Sequence, residues 1–170
     1  EKKNPTLEGK HFLVTAGATI EAIDPVRYIS NHSSGKMGYA VAEELASRGA
    51  RVTLISGRTV LDTPKGVDRV DVLSAEDMYQ ACVERFDEAD GAVMCAAVAD
   101  YTPQSVAQEK IKKGEGDMAI ALKRTKDIAA ELGQRKGKRI LVGFAMETQN
   151  EHANAEDKLR RKNFDFIVLN

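Results

Sequence analysis

Short apolar runs alternate along this chain with segments whose apolar residues step by three or four, and that alternation restricts the fold more than any other feature. His11 to Thr15 holds a short apolar run, and Gly17 punctuates its end. Met37, Val41 and Leu45 share one helical face within Met37 to Arg48, and Gly49 stands where a helix stops. Val52 to Ile55 reads as a second strand and Val70 to Leu73 as a short third. Ser74 can cap a helix from Ala75 to about Glu88, with Asp77 placed for the reciprocal bond. Gly91 to Val98 is continuously apolar, as a central strand buried on both faces must be. Thr125 is placed to cap a helix over Lys126 to Gln134. A strand over Ile140 to Ala145, a helix over Ala153 to Lys162 and a last strand over Phe166 to Leu169 complete the pattern. Such alternation predicts a parallel sheet covered on both faces, the doubly wound α/β arrangement. Ligands of these sheets bind beyond the C-terminal strand ends, near the reversal of strand order.

Three stretches interrupt the pattern. Residues 1–9 are polar and end in Gly9, which predicts a linker or tail and leaves 10–170 as one domain. Ala18 to Ser34 is long for a strand-to-helix connection, and loops of that length are often functional. Tyr101 to Gly116 offers little core and carries Lys110, Lys112 and Lys113, so a mobile basic flap is expected at the mouth of the central strand.

Charge and cysteine usage narrow the partners. The 25 basic and 26 acidic residues nearly cancel, so no global field draws the chain to nucleic acid or to an anionic membrane. Cys82 and Cys95 have no metal-ligand spacing and read as buried, reduced thiols. The apolar run Ala92 to Ala99 is too short to span a bilayer, and no charged-then-apolar leader opens the chain. A cytoplasmic location is the expectation. The chain opens on Glu1 and closes on Asn170 directly after a strand-like run, which suggests a piece of a longer protein trimmed at both ends.

The first long loop has the parts of an anion site. Gly17 follows the first strand, Gly35 and Gly38 bracket the start of the first helix, and Ser33, Ser34 and Lys36 add donors and a charge. Helix N-termini favour anions, although a tight turn needing glycine would leave the same trace. Familiar nucleotide patterns are absent. There is no G-x-G-x-x-G, no acidic residue ends Leu54-Ile55-Ser56-Gly57, and no G-x-x-x-x-G-K-[ST] string occurs. Tyr28, Tyr39, Tyr79 and Tyr101 are followed four residues later by His32, Glu43, Val83 and Ser105, so none has the lysine a short-chain reductase would place there. His11, His32 and His152 form no ligand or triad pattern, and no metal ligand set is expected.

Longer motifs carry a resemblance. Thr15-Ala16-Gly17-Ala18-Thr19, Asp24-Pro25-Val26-Arg27-Tyr28-Ile29-Ser30-Asn31 and Ser33-Ser34-Gly35-Lys36-Met37-Gly38 together resemble the signature of the phosphopantothenate–cysteine ligases. Cys95-Ala96-Ala97-Val98-Ala99-Asp100-Tyr101, Glu109-Lys110-Ile111-Lys112-Lys113, Val142-Gly143-Phe144-Ala145 with Glu147-Thr148, and Arg161-Lys162-Asn163 with Asn170 resemble further motifs of that family. The similarity runs from about Leu7 to Asn170. It implies a Rossmann-like domain that joins 4′-phosphopantothenate to L-cysteine in coenzyme A biosynthesis, with CTP as co-substrate and Mg²⁺. An acyl-cytidylate is the implied intermediate. It also implies a homodimer, and fusion behind a decarboxylase, so that any flavin belongs outside this chain.

Residue roles follow from the resemblance. Asn31 and Arg27 are implied in conversion of the acyl-nucleotide to product, and Lys110 in its formation. Ser33, Ser34, Gly35 and Lys36 join Asn31 as substrate contacts. Gly17, Met94, Cys95, Ala96, Asp100, Lys110, Phe144, Lys158, Lys162 and the helix start at Lys126, Asp127, Ile128 and Ala129 are the implied nucleotide contacts. Family members often have proline where Lys126 stands, so contacts there are expected through backbone. Read from the residues alone, Arg27 could equally anchor its loop by a salt bridge, and Asp100 could cap a turn. Lys158 and Lys162, four apart, could be one solvated helix face. A nicotinamide-dependent reductase and a nucleotide-binding fragment without turnover remain the alternatives.

Overall fold

The parallel sheet expected from the alternation is present in a computed structural model, which describes residues 5–145 and 151–169. Its strands are β1 (His11–Ala16), β2 (Ile20–Ala22), β3 (Tyr28–Ser30), β4 (Arg51–Ser56), β5 (Val67–Asp71), β6 (Gly91–Met94), β7 (Tyr101–Pro103), β8 (Leu122–Arg124), β9 (Ile140–Ala145) and β10 (Phe166–Leu169). Its helices are α1 (Lys36–Ser47), α2 (Ala75–Phe86), α3 (Ile128–Gln134) and α4 (Glu151–Arg161). Six strands form one parallel sheet in the order β10-β9-β6-β1-β4-β5. The chain works outward from β1 to β5, then crosses back to β6 on the other side of β1. The strand order therefore reverses between β1 and β6, which places the crevice at their C-terminal ends.

Alternating residues of β1 supply two cores. Phe12 and Val14 pack with Val52, Leu54, Tyr39 and Ala42 under α1. Leu13 faces the other way, with Ile55, Met78, Phe86, Leu132 and Leu141 under α2 and α3. Gly38 allows α1 to sit hard on β1, since a Cβ there would lie 2.4 Å from the Ala16 side chain.

Several boundaries differ from the sequence expectation. The third strand lies earlier, at Val67–Asp71, because an edge strand needs only one apolar face and tolerates its charged residues. Strand pairing of β6 ends at Met94 instead of Val98. Beyond it the chain leaves the sheet, yet the amides of Cys95, Ala97 and Ala99 still donate to Thr15 O, Gly17 O and Thr19 Oγ1. The cap of α3 is Asp127, whose carboxylate accepts the Ala130 N–H at 3.0 Å. Thr125, the expected cap, donates its hydroxyl to Ala99 O at 2.7 Å. Ser74 and Asp77 form the reciprocal capping box.

The interruptions are more ordered than their composition suggests. Within 18–34, β2 and β3 pair as an antiparallel hairpin. The expected flap springs from a second pair, β7 with β8. Within residues 1–9, the Leu7 N–H donates to Arg48 O at 2.9 Å and its side chain packs against the α1 core, so this part is docked.

Candidate nucleotide cleft

A cavity of about 490 Å³ opens at the C-terminal ends of β6 and β9, beside the reversal of strand order. Thr15 forms part of its floor, and its hydroxyl accepts the Ala96 N–H at 3.2 Å. Met94, Cys95, Ala96 and Asp100 line one side, and Lys126, Asp127, Ile128 and Ala129 another. Phe144, Lys158 and Lys162 close it from β9 and from α4 and its C-terminal end. Every implied nucleotide contact except Gly17 and Lys110 lines this cavity. Arg124, Tyr101, Thr125, Val98, Thr15 and Phe164 also line it and were missed. The strand pair β7–β8 brings Tyr101 and Arg124 opposite each other, and neither lay in a segment with readable periodicity.

The cations of the cleft are held in different ways. Lys158 Nζ donates to Phe144 O at 2.7 Å, which ties α4 to the end of β9. Lys162 Nζ lies 3.4 Å from Asp127 Oδ1. Lys126 Nζ turns outward to Glu76, 2.9 Å away. Arg124 is exposed and has no ion pair among the described residues. The Cys95 thiol is pushed up to about 12 by burial and stays protonated at neutral pH. Among the described residues, no group of three or more His, Cys, Asp or Glu could hold a metal ion.

The substrate-side residues stand apart from this lining. Asn31 is exposed, and its Nδ2 donates to Val98 O at 3.3 Å, linking the hairpin to the cleft rim. Ser34 Oγ accepts the Lys36 N–H at 3.3 Å, and Ser34 O accepts from the Thr59 hydroxyl at 2.8 Å. Ser33 and Lys36 are exposed. Gly17 and Gly35 both have positive φ, 79° and 85°, and that left-handed backbone accounts for glycine at each, since a Cβ on either would meet only ordinary contacts. Arg27 is partly exposed, yet its guanidinium is engaged within its own loop. Its Nε and Nη2 donate to Asp24 Oδ2 at 3.1 and 2.8 Å, the loop-anchoring geometry. Lys110 is exposed on the flap and does not line the cavity. Glu147, Thr148 and Asn170 lie outside the described residues. A larger cavity of about 720 Å³ lies at the sheet edge between β5 and α2 and contains none of the implied site residues.

A doubly wound parallel domain with a basic cleft at its switch point is a Rossmann-like α/β domain with the form of a nucleotide site. The chain belongs to the family described as DNA/pantothenate metabolism flavoprotein C-terminal domain, which matches residues 7–170. It is 52% identical over 171 residues to the coenzyme A biosynthesis bifunctional protein CoaBC of Bacillus subtilis (strain 168), covering 100% of this chain and 42% of that protein. It is also 52% identical over 166 residues to a cysteine/cysteine sulfinic acid decarboxylase from an unknown prokaryotic organism, covering 96% of this chain and 46% of that protein. The crystal structure of the C-terminal domain of a bifunctional protein CoaBC superposes with a TM-score of 0.89 at 46% identity, covering 98% of this chain and 80% of that one. The chain thus spans less than half the length of the two full-length relatives.

Proposed function

We propose that this chain is a CTP-dependent phosphopantothenate–cysteine ligase domain acting in coenzyme A biosynthesis. The observation that carries the reading is the cleft at the ends of β6 and β9, whose lining gathers almost every residue implied as a nucleotide contact. Membership of the family and the likeness to the CoaBC C-terminal domain support it.

The chemistry has two steps. A carboxylate oxygen of 4′-phosphopantothenate attacks the α-phosphorus of CTP, the bond to the bridging oxygen breaks, and pyrophosphate leaves. The amine of L-cysteine then attacks the acyl carbon, CMP leaves, and the nitrogen loses a proton to give the amide. In the first step anions approach one another, so Lys158 and Lys162 in the cleft and Lys110 on the flap offset charge. In the second step an oxyanion develops, and the Asn31 amide is the donor for it. Asp100 accepts from the cytosine amino group, while Phe144 and Ile128 give apolar surface to the base. Mg²⁺ carried in on the triphosphate would offset its charge, since among the described residues no group of three or more His, Cys, Asp or Glu could hold the ion.

The partners are the small molecules 4′-phosphopantothenate and L-cysteine, and a second copy of the chain. A homodimer is supported by exposed Val26, Tyr28, Tyr101, Val106, Met118 and Leu122 around the hairpin and the β7–β8 arm. Among the described residues no helix is long and apolar enough to cross a membrane, and the reduced thiols fit the cytoplasm. A fused decarboxylase, with its flavin, belongs to the length outside this chain.

The test is turnover. Phosphopantothenate, CTP and cysteine together should yield pyrophosphate, CMP and the amide in equal amounts. Binding of NADPH with no pyrophosphate from any nucleotide would favour the reductase, and CTP binding without product would leave only a nucleotide-binding fragment.

A further inference from the structure

Asp24 sits in the turn between β2 and β3, and its carboxylate is fully buried. Oδ1 accepts the N–H groups of Val26 and Arg27 at 2.9 and 2.7 Å, which closes the turn. Oδ2 does something else. It accepts the Ile111 N–H at 3.0 Å, together with Arg27 Nε and Nη2. Arg27 Nη2 also donates to Ile111 O at 2.5 Å. Both backbone groups of one flap residue are therefore gripped by an acid–base pair more than eighty positions earlier. A further backbone bond, Ala107 N–H to Ile23 O at 3.0 Å, runs alongside.

A turn of this kind needs only the Oδ1 bonds. A buried carboxylate must be fully paired, and here the remaining pairing is directed at the flap. Lys110 is covalently next to Ile111, so its Cα is held within about 3.8 Å of the gripped residue's Cα. Its neighbours Lys112 and Lys113 are exposed, and the Asp24–Arg27 grip falls between them and Lys110.

We propose that Asp24 is a positioning residue: with Arg27 it clamps Ile111 and thereby fixes where Lys110 meets the reacting phosphate. The clamp itself stands on the geometry above, while the role of Lys110 rests on the ligase reading. Arg27 then acts through the flap backbone and not by gripping substrate.

Asp24→Asn and Ile111→Pro test this in the protein at its natural length. The first removes the acceptor charge. The second removes the Ile111 N–H and leaves the Asp24–Arg27 turn whole, but it also fixes φ at 111 and restricts Lys110, so exchange across the flap, and not rate alone, tells a lost clamp from a stiffened backbone. Both should speed hydrogen exchange of the peptide covering 107–113 by roughly tenfold or more. Both should slow pyrophosphate release by roughly 10–100-fold, as misplacement of a catalytic group by about 1 Å does. The KM for CTP should stay within about threefold, because Asp24 does not line the cleft. Wild-type rates and exchange in Ile111→Pro overturn the proposal. So does a rise in KM that accounts for the whole loss. If Asp24→Asn fails to fold, Ile111→Pro decides alone. A wild type that releases no pyrophosphate from any nucleotide overturns the ligase reading instead, and exchange over 107–113 then still decides whether Asp24 clamps the flap.

Discussion

The ammonium of Lys126 lies 2.9 Å from Glu76 Oε1 and 4.7 Å from the centre of the Tyr79 ring, so a cleft-lining residue just before α3 is fastened to the first turns of α2. The hydrogen bond from Lys126 lowers the Glu76 pKa, and its partner raises that of Lys126. Both side chains are about half exposed, so salt screens the pair.

Releasing that lysine should therefore change nucleotide binding in a salt-dependent way. Glu76→Gln frees the ammonium to swing toward the triphosphate. Affinity for CTP is expected to rise by roughly two- to fivefold at low ionic strength, and the gain should vanish near 0.5 M salt. Calorimetric titration at both salt concentrations measures it. Unchanged or weaker binding at low salt would show that Lys126 is wanted where it stands.

Asp100 should set the choice of base. A carboxylate accepts from the amino group of cytosine but repels the carbonyl that uracil presents at the same position. CTP is expected to bind more tightly than ATP or UTP. Asp100→Asn, which can donate as well as accept, should narrow the CTP-to-UTP ratio by roughly tenfold or more. Competition titrations read this directly, and a ratio that does not move would relieve Asp100 of the role.

Asn31 and Lys110 should divide the two half-reactions. Asn31→Asp is expected to release pyrophosphate once per site and accumulate the acyl-cytidylate, since a new carboxylate opposes only the later oxyanion. Lys110→Gln should stall before any pyrophosphate appears. Removing one such donor typically costs about 10²–10³ in rate. Quenched single-turnover assays with labelled CTP separate the cases, and a shared stalling point would refute the division.

Acid should weaken the Asp24 clamp late. The Ile111 N–H, followed by Arg27, holds the Asp24 carboxyl well below its ordinary value of 3.8. A depressed carboxyl pKa contributes stability that is complete above the unfolded value and lost as pH falls toward the folded one. At neutral pH Asp24→Asn should unfold at a lower temperature than wild type. The gap should begin to close only below about pH 3.8, toward pH 2. A gap already closing at pH 6 would place the dependence on another group.

Most of the sheet was legible because the apolar runs of its strands are continuous, whether the strand is central or, like Phe166–Leu169, exposed at an edge. Ile140–Ala145 and Phe166–Leu169 match their sequence expectation residue for residue. Val67–Asp71 was misplaced because Asp68, Arg69 and Asp71 interrupt its apolar residues and leave no such run. The cleft was legible chiefly through resemblance: by periodicity Lys158 and Lys162 are only one helical face. Arg124 and Tyr101 were not, since β7 and β8 are three residues each and find each other across about twenty residues of irregular chain. The grip of Asp24 on Ile111 leaves no local pattern at all, because it joins two loops.

The burial of Cys95 in the cleft lining bears on its redox chemistry. Burial pushes its pKa up to about 12, so very little of it is thiolate at pH 7. Exchange begins when a thiolate attacks a disulfide sulfur, so this cleft offers cystine and other disulfides almost no nucleophile. Cys95 thus lines the cleft as a resting thiol, and the burial that packs it also disfavours capping of the cavity by a disulfide.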